Sequence, residues 1–205
     1  MRKQQEQLVK RLRDLAGAIE RDSIPGDRLK KMKQLAEQLE QLAERQPDHS
    51  AAIATGSFKP TSNSPILIWC DGSCSPNPGP GGWGALIEQD GKRMELSGAD
   101  PNSTNNIMEL TAAIEAIERT PEGSETRVIT DSQYLVNGIT RWLAGWKRKG
   151  WRKADGEPVL NQELWRKLDA LTARRKVTWE WVRGHTGHPE NERSDRLANE
   201  AREAL

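Results

Sequence analysis

Four acidic side chains stand where apolar segments of the chain begin or end. Asp71 follows the run "PILIWC" and Asp131 follows "TRVIT". Glu109 falls in the first turns of a helical pattern that starts after "NSTNN", and Asp195 falls near the start of a last one, "ERSDRLANEAREAL". Each acid alone has a plain structural reading, because carboxylates suit the positive end of a helix and aspartate suits turns. Together, if they converge, they would repel one another unless cations sat among them. A set of hard oxygen ligands without thiolate or imidazole suits Mg2+ or Mn2+. Two such ions held ~3.5–4 Å apart can drive an in-line phosphoryl displacement.

A second combination, Cys70, Cys74, His185 and His188, has the residue types of a zinc site. The cysteine spacing fits, but the two histidines are closer than the common zinc spacing. Strand alternation also turns Cys70 to the opposite sheet face from Asp71. The expectation is therefore a buried, hydrophobe-like Cys70, with His188 structural.

The elements that must position these residues follow from the rest of the chain. It has 205 residues, 35% hydrophobic and 30% charged, with a net charge of +1. That charge gives no whole-chain reason to expect a nucleic-acid partner, so only local clusters can supply one. All eight Trp lie from Trp69 onward, which points to a domain boundary before that residue. Two closely spaced cysteines make no disulfide framework and suit a reduced protein. The opening "MRKQQEQLVKRLRD" is not a secretory signal. No apolar run approaches the ~20 residues that span a bilayer. The expectation is a cytoplasmic protein with no membrane partner.

Residues 1–45 carry two apolar stripes, Leu8, Leu12, Leu15 and Ile19, then Leu29, Met32, Leu35, Leu39 and Leu42. Both have helical spacing, and "DSIPGD" breaks them. This predicts an αα-hairpin whose seam serves self-association or docking to a protein partner. Residues 46–64, "QPDHSAAIATGSFKPTSNS", read as a flexible linker. From residue 65 to 205 the patterns run β-β-β-α-β-α-α-β-α, an α/β order that predicts a mixed sheet flanked by helices. The second and third strands form a hairpin turning at Asp90-Gly91. Asn161 is placed as the N-cap of the helix "NQELWRKLDALTARR", and the Pro and Gly residues after Asn77 are expected to turn the chain into the next strand.

The motifs "WCDGSCSPNPGPGGWG", "STNNIMEL", "TDSQYLVNGITRW", "GWKRKGW" and "VRGHTGHPENERSDRLA" occur in this order. In that order and spacing, residues 65–205 resemble type 1 ribonuclease H throughout. The resemblance implies the ribonuclease H-like fold with a mixed five-stranded sheet. It also implies an endonuclease that hydrolyses the RNA strand of RNA/DNA hybrids to leave 5′-phosphomonoester ends. Its implied metal ligands are Asp71, Glu109, Asp131 and Asp195, holding two Mg2+ ions that Mn2+ can replace. Asp71 would bridge both ions, and His185 would be the catalytic histidine of a mobile loop flanked by Gly184 and Gly187.

The same resemblance places Gly72, Cys74, Asn77, Thr104, Asn105, Gln133 and Asn191 against the hybrid, with Trp142, Trp146 and Arg148 on a basic protrusion that grips the DNA strand. "GWKRKGWRK" has the interleaved basic and aromatic residues that suit a phosphate backbone. Residues 1–64 fall outside the resemblance. They lack the aromatic and basic composition of the family's N-terminal hybrid-binding module. A catalytically silent hybrid-binding or partner-binding module on the same fold is the rival reading, and such a module would have no chemical need for all four acids.

Overall fold

A computed structural model of the chain describes residues 56–184 and 186–205. All the described residues belong to one compact unit, which lies within residues 49–205. The helical hairpin expected over residues 1–45 lies outside the described residues, as does His185.

Five strands form one mixed sheet. They are β1 (Ile66–Cys74), β2 (Gly79–Gln89), β3 (Lys92–Ser103), β4 (Glu125–Thr130) and β5 (Lys176–Trp181), in the spatial order β3-β2-β1-β4-β5. The first three pair antiparallel, while β1 pairs parallel to β4 and β4 parallel to β5. The β2–β3 hairpin turns at Asp90-Gly91, as expected. Both residues have positive φ, 50° and 80°, the backbone that a two-residue turn needs to match strand twist.

The helices are α1 (Asn105–Arg119), α2 (Gln133–Asn137), α3 (Leu143–Arg148), α4 (Gln162–Thr172) and α5 (Pro189–Glu203). A single π-helical turn, Gly138–Trp142, joins α2 to α3, with Leu143 N–H reaching back to Gly138 O. The core lies between the sheet and α1, where Ile68, Cys70, Ala85, Ile87, Leu110, Ala113, Ile114 and Ile117 are all buried. Thr104 caps α1, its hydroxyl accepting from Ile107 N–H at 3.3 Å.

Glycines fix how closely the helices approach the sheet. A Cβ on Gly72 would stand 2.3 Å from the backbone N of Glu109, and one on Gly81 would stand 2.7 Å from Met108 Cγ. On the other face, a Cβ on Gly84 would stand 2.4 Å from Ser194 O and one on Gly82 would stand 2.1 Å from Ala198 O. Gly72 pairs with Trp83, and Gly84 pairs with Asp71, so strand alternation puts α1 and α5 on opposite faces.

Three expectations are corrected here. β1 continues to Cys74, so Asp71 lies within the strand and not at its end. Gly79 to Gly82 belong to β2 and are not a loop, because they pair with β1 and β3 while making room for the two helices. Asn161 does not cap α4 through its side chain. Its φ is 56° and it makes no cap bond; its amide donates to Tyr134 Oη at 3.2 Å.

The described part of the expected linker, residues 56–64, is packed on the domain. Phe58 is 1% exposed, and its N–H donates to Arg119 O at 2.7 Å. Buried Gln89 is satisfied by the same segment. It accepts from Thr61 N–H at 2.7 Å and donates to Ser64 O at 2.6 Å. A lone aromatic among Ser, Pro and Gly is thus a core anchor. Phe58→Ala should lower unfolding stability by about 3–5 kcal/mol, the range for emptying a buried aromatic site, as measured by urea denaturation. A change under ~1 kcal/mol would show that residues 56–64 are not part of the folded unit.

Candidate active site

Asp71 projects from β1 on the α5 face, opposite Gly84. Its neighbour Cys70 points the other way and is fully buried, as expected; burial, and then the charge of Asp71, pushes its thiol pKa up. Asp131 directly follows β4, where the sequence puts it. Glu109 sits one turn into α1. Asp195 is the seventh residue of α5, further into the helix than its sequence pattern implies.

These acids feel one another. The Asp71 carboxyl is raised from 3.8 to about 8, first by burial and then by the charges of Asp131, Asp195 and Glu109; the Gly72 N–H, 2.7 Å away, opposes the rise. Glu109 is raised from 4.5 to about 6, chiefly by burial, with Asp131 adding to it. Among the described residues no group of three or more acidic, histidine or cysteine side chains is drawn together closely enough to hold a metal ion as it stands. The set is an open cluster of mutually repelling oxygens.

Each carboxylate has a donor holding it. Ser132 Oγ donates to Glu109 Oε2 at 2.5 Å while accepting from Leu135 N–H at 3.0 Å, so it caps α2 and ties that cap to α1. Asn105 donates to Glu109 Oε1 at 3.0 Å. Asn191 donates to Asp131 Oδ2 at 3.3 Å, and Asn199 donates to Asp195 Oδ1 at 2.8 Å. The exposed Trp181 donates its indole N–H to Asp131 O at 2.9 Å. Gly184 comes so near that a Cβ there would lie 2.3 Å from Asp131 Oδ2. Its smallness therefore serves close approach to Asp131. Ser132, Trp181 and Asn199 were not singled out from the sequence. The signal available was their place, one residue after Asp131, at the end of β5, and four after Asp195.

The residues expected against a nucleic acid divide into two groups. Gln133, Asn77, Trp142 and Arg148 are exposed. Cys74, Thr104, Asn105 and Trp146 are half-buried. Asn105 N–H donates to Asn77 Oδ1 at 3.3 Å, which joins these two. The Cys74 thiol faces the carbonyls of Pro76, Gly79 and Ser103 at 3.3–3.5 Å. Gly72 and Asn191 are corrections. Gly72 is buried beneath the α1 backbone. Asn191 is 2% exposed and serves Asp131, so it offers no surface to a ligand.

In the basic segment, Lys147 is engaged with Asp169 at 2.7 Å and Lys153 with Asp155 at 2.9 Å. Trp151 is buried, and Arg166 lies over its ring at 4.7 Å. Tyr134, Trp142, Trp146 and Trp165 form a tilted stack with centroids 5.4–6.3 Å apart. Within this set Trp165 is fully buried and Trp142 is exposed, and Arg148 beside it is exposed too.

Comparison with known proteins places this geometry. The family model described as RNase H matches residues 63–203. The "Ribonuclease H" of Thiobacillus denitrificans is 57% identical over 135 residues, which cover 66% of this chain and 91% of that protein. That of Pelobacter propionicus is 48% identical over 155 residues, covering 76% and 93%. Among solved structures, LC9-RNase H1, described as a type 1 RNase H with the type 2 active-site motif, aligns with a TM-score of 0.63 at 31% identity, covering 71% of this chain and 75% of its own. LC11-RNase H1 in complex with RNA/DNA hybrid aligns with a TM-score of 0.52 at 27% identity, covering 68% and 97%.

The raised Asp71 pKa has a definite consequence for stability. The folded state keeps a proton that the unfolded chain releases above its ordinary value. Stability from the neutral form is therefore complete at acid pH and is lost as pH rises from about 4 through about 8. Asp71→Asn should flatten this slope in metal-free buffer and be more stable than the wild type at pH 8 by ~1–3 kcal/mol. Urea denaturation at several pH values checks this; an Asp71→Asn chain less stable than wild type at pH 8 would contradict it.

Proposed function

The chain belongs to the ribonuclease H family of endoribonucleases, and on that premise we propose that it hydrolyses the RNA strand of RNA/DNA hybrids with Asp71, Glu109, Asp131 and Asp195 as its metal ligands. The observation that carries this reading is the gathering of Asp71 with three other acids delivered by two helices and a strand end, whose charges add to burial in raising the Asp71 carboxyl. A cation would reverse that balance and favour all four charged forms. The donor set is all oxygen, which fits a hard divalent ion. We take the ions to be two Mg2+, with Mn2+ able to substitute. When bound, such ions activate a water and neutralise the leaving oxygen of a phosphodiester.

The chain's own residues do the rest. Asp71, on the α5 face of β1, would be the shared ligand. Ser132 and Asn105 hold Glu109, Asn191 holds Asp131 and Asn199 holds Asp195. His185, in "GHTGHPEN", is assigned the movement of protons or the release of product, a task that suits an imidazole titrating near neutrality. Asn77, Thr104, Asn105, Cys74 and Gln133 are assigned to the hybrid, since small polar groups can test ribose 2′-hydroxyls in a minor groove. Arg148, Trp142 and Trp146 take the phosphate backbone of the DNA strand. The two free thiols suit a reduced, cytoplasmic setting. Residues 1–45 lie ahead of the family match and are assigned to self-association or docking.

The wild-type chain with Mg2+ should cleave labelled RNA/DNA hybrid and leave double-stranded DNA, double-stranded RNA and single-stranded RNA intact. Asp71→Asn should lose ~10³-fold or more in kcat while staying folded. Full activity in Asp71→Asn would remove the metal assignment. Arg148→Ala should weaken hybrid binding and reduce the slope of log affinity against log salt by about 1. Fluorescence anisotropy across a salt series reads this, and an unchanged slope would remove Arg148 from the phosphate contacts.

A further inference from the structure

Asp195 is the end of a chain of hydrogen bonds that leads away from the other acids. Arg202 Nη1 donates to Ser73 Oγ at 2.5 Å, Ser73 Oγ donates to Asn199 Oδ1 at 2.7 Å, and Asn199 Nδ2 donates to Asp195 Oδ1 at 2.8 Å. Asn199 Nδ2 also donates to Asp195 O at 3.0 Å. Asp195, Asn199 and Arg202 succeed one another along α5 at spacings of four and three, which put them on one helix face. Ser73 lies two residues beyond Asp71 on β1 and therefore shares its sheet face. Gly82, paired with Ser73, lets α5 come close enough for the chain to close; a Cβ there would lie 2.7 Å from Arg202 N.

The chain can run in one direction only. A guanidinium has donors and no acceptor, and a carboxylate has acceptors and no donor. With Arg202 donating to it, the Ser73 hydroxyl must turn its own proton to Asn199 Oδ1. The Asn199 amide is then oriented with its NH2 toward Asp195. Amides and hydroxyls are each ambiguous alone, but here both are set by the cation at one end. Hydrogen bonds in series also polarise one another. The Arg202 head is mostly covered, with a side-chain exposure of 20%, so water screens this arrangement little.

From this geometry we infer that Ser73, Asn199 and Arg202 are positioning residues that fix the Asp195 carboxylate for metal binding. Asn199 engages one carboxylate oxygen, which would leave the other for the cation. The proposal rests on the reading of Asp195 as a metal ligand. Outer partners of this kind set metal affinity, and their loss typically weakens it by ~10–100-fold. Arg202 also meets Glu203 at 3.4 Å, but Glu203 is exposed and leaves the Ser73 contact intact.

The test uses the full chain. Mn2+ affinity without hybrid is measured by calorimetry, and the Mg2+ concentration for half-maximal cleavage and the KM for hybrid are measured alongside. Asn199→Ala should weaken Mn2+ binding and raise the Mg2+ requirement by about 10-fold, with high Mg2+ recovering much of the lost rate and KM for hybrid moving little. Ser73→Ala and Arg202→Met should shift the same two quantities in the same direction. Arg202→Lys, still a donor without an acceptor, should restore most of the affinity that Arg202→Met loses. Metal-free thermal midpoints identify any variant whose fold is damaged. Unchanged metal affinity in folded Asn199→Ala and Ser73→Ala, or a raised hybrid KM in its place, would overturn the proposal. A wild-type chain that cleaves hybrid with no divalent ion would instead remove the metal reading beneath it.

Discussion

Everything at the acidic cluster depends on how near two helices come to one pair of strands. α1 carries Glu109 and packs on Gly72 and Gly81; α5 carries Asp195 and packs on Gly82 and Gly84. At these positions a single Cβ would sit 2.1–2.7 Å from helix atoms, three of them backbone. Backbone cannot step aside as a flexible side chain can, so the helix would move and its acid with it. Asp71 lies on the strand between the two helices. Its carboxylate meets the others because both faces of the sheet are held at glycine distance.

That dependence explains what was legible in the sequence and what was not. The four acids were visible as residue types beside apolar runs, and the hairpin was visible in Asp90-Gly91, where the backbone needs positive φ. The Gly-rich stretch was misread because glycine signals a turn as readily as a close approach within a strand. The strand pairings from Asp71–Gly84 to Cys74–Gly81 show that β1 and β2 continue through it. Phe58 was hidden by its Ser- and Pro-rich surroundings, which look like linker to any compositional reading. Asn161 has capping chemistry, but its backbone is left-handed, its side chain makes no cap bond, and its amide N–H meets Tyr134. Asn191 and Gly72 were identified as motif residues, yet motif membership does not tell surface from support. Asn199 and Arg202 belong to no motif, and their role arises only because Ser73 comes opposite them.

The surface assigned to nucleic acid is likewise less charged than its sequence. Lys147 and Lys153 already have carboxylate partners, and Arg152 donates to Gly156 O at 2.7 Å. With a net charge of only +1 for the chain, steering of a polyanion rests on a few residues such as Arg148. Their value lies in where the aromatic stack beneath them holds them, more than in their number.

The π-helical turn at Gly138–Trp142 settles that placement through phase. One residue added to a helix turns everything after it by about 100°. The turn is seated where Gly138 leaves room for the Trp165 ring, which would lie 2.0 Å from a Cβ at that position. Without the extra residue, α3 would leave α2 rotated by more than a quarter circle, and Arg148 would face a different quadrant. The direction in which this helix displays its positive charge is thus set by a counting irregularity upstream of it.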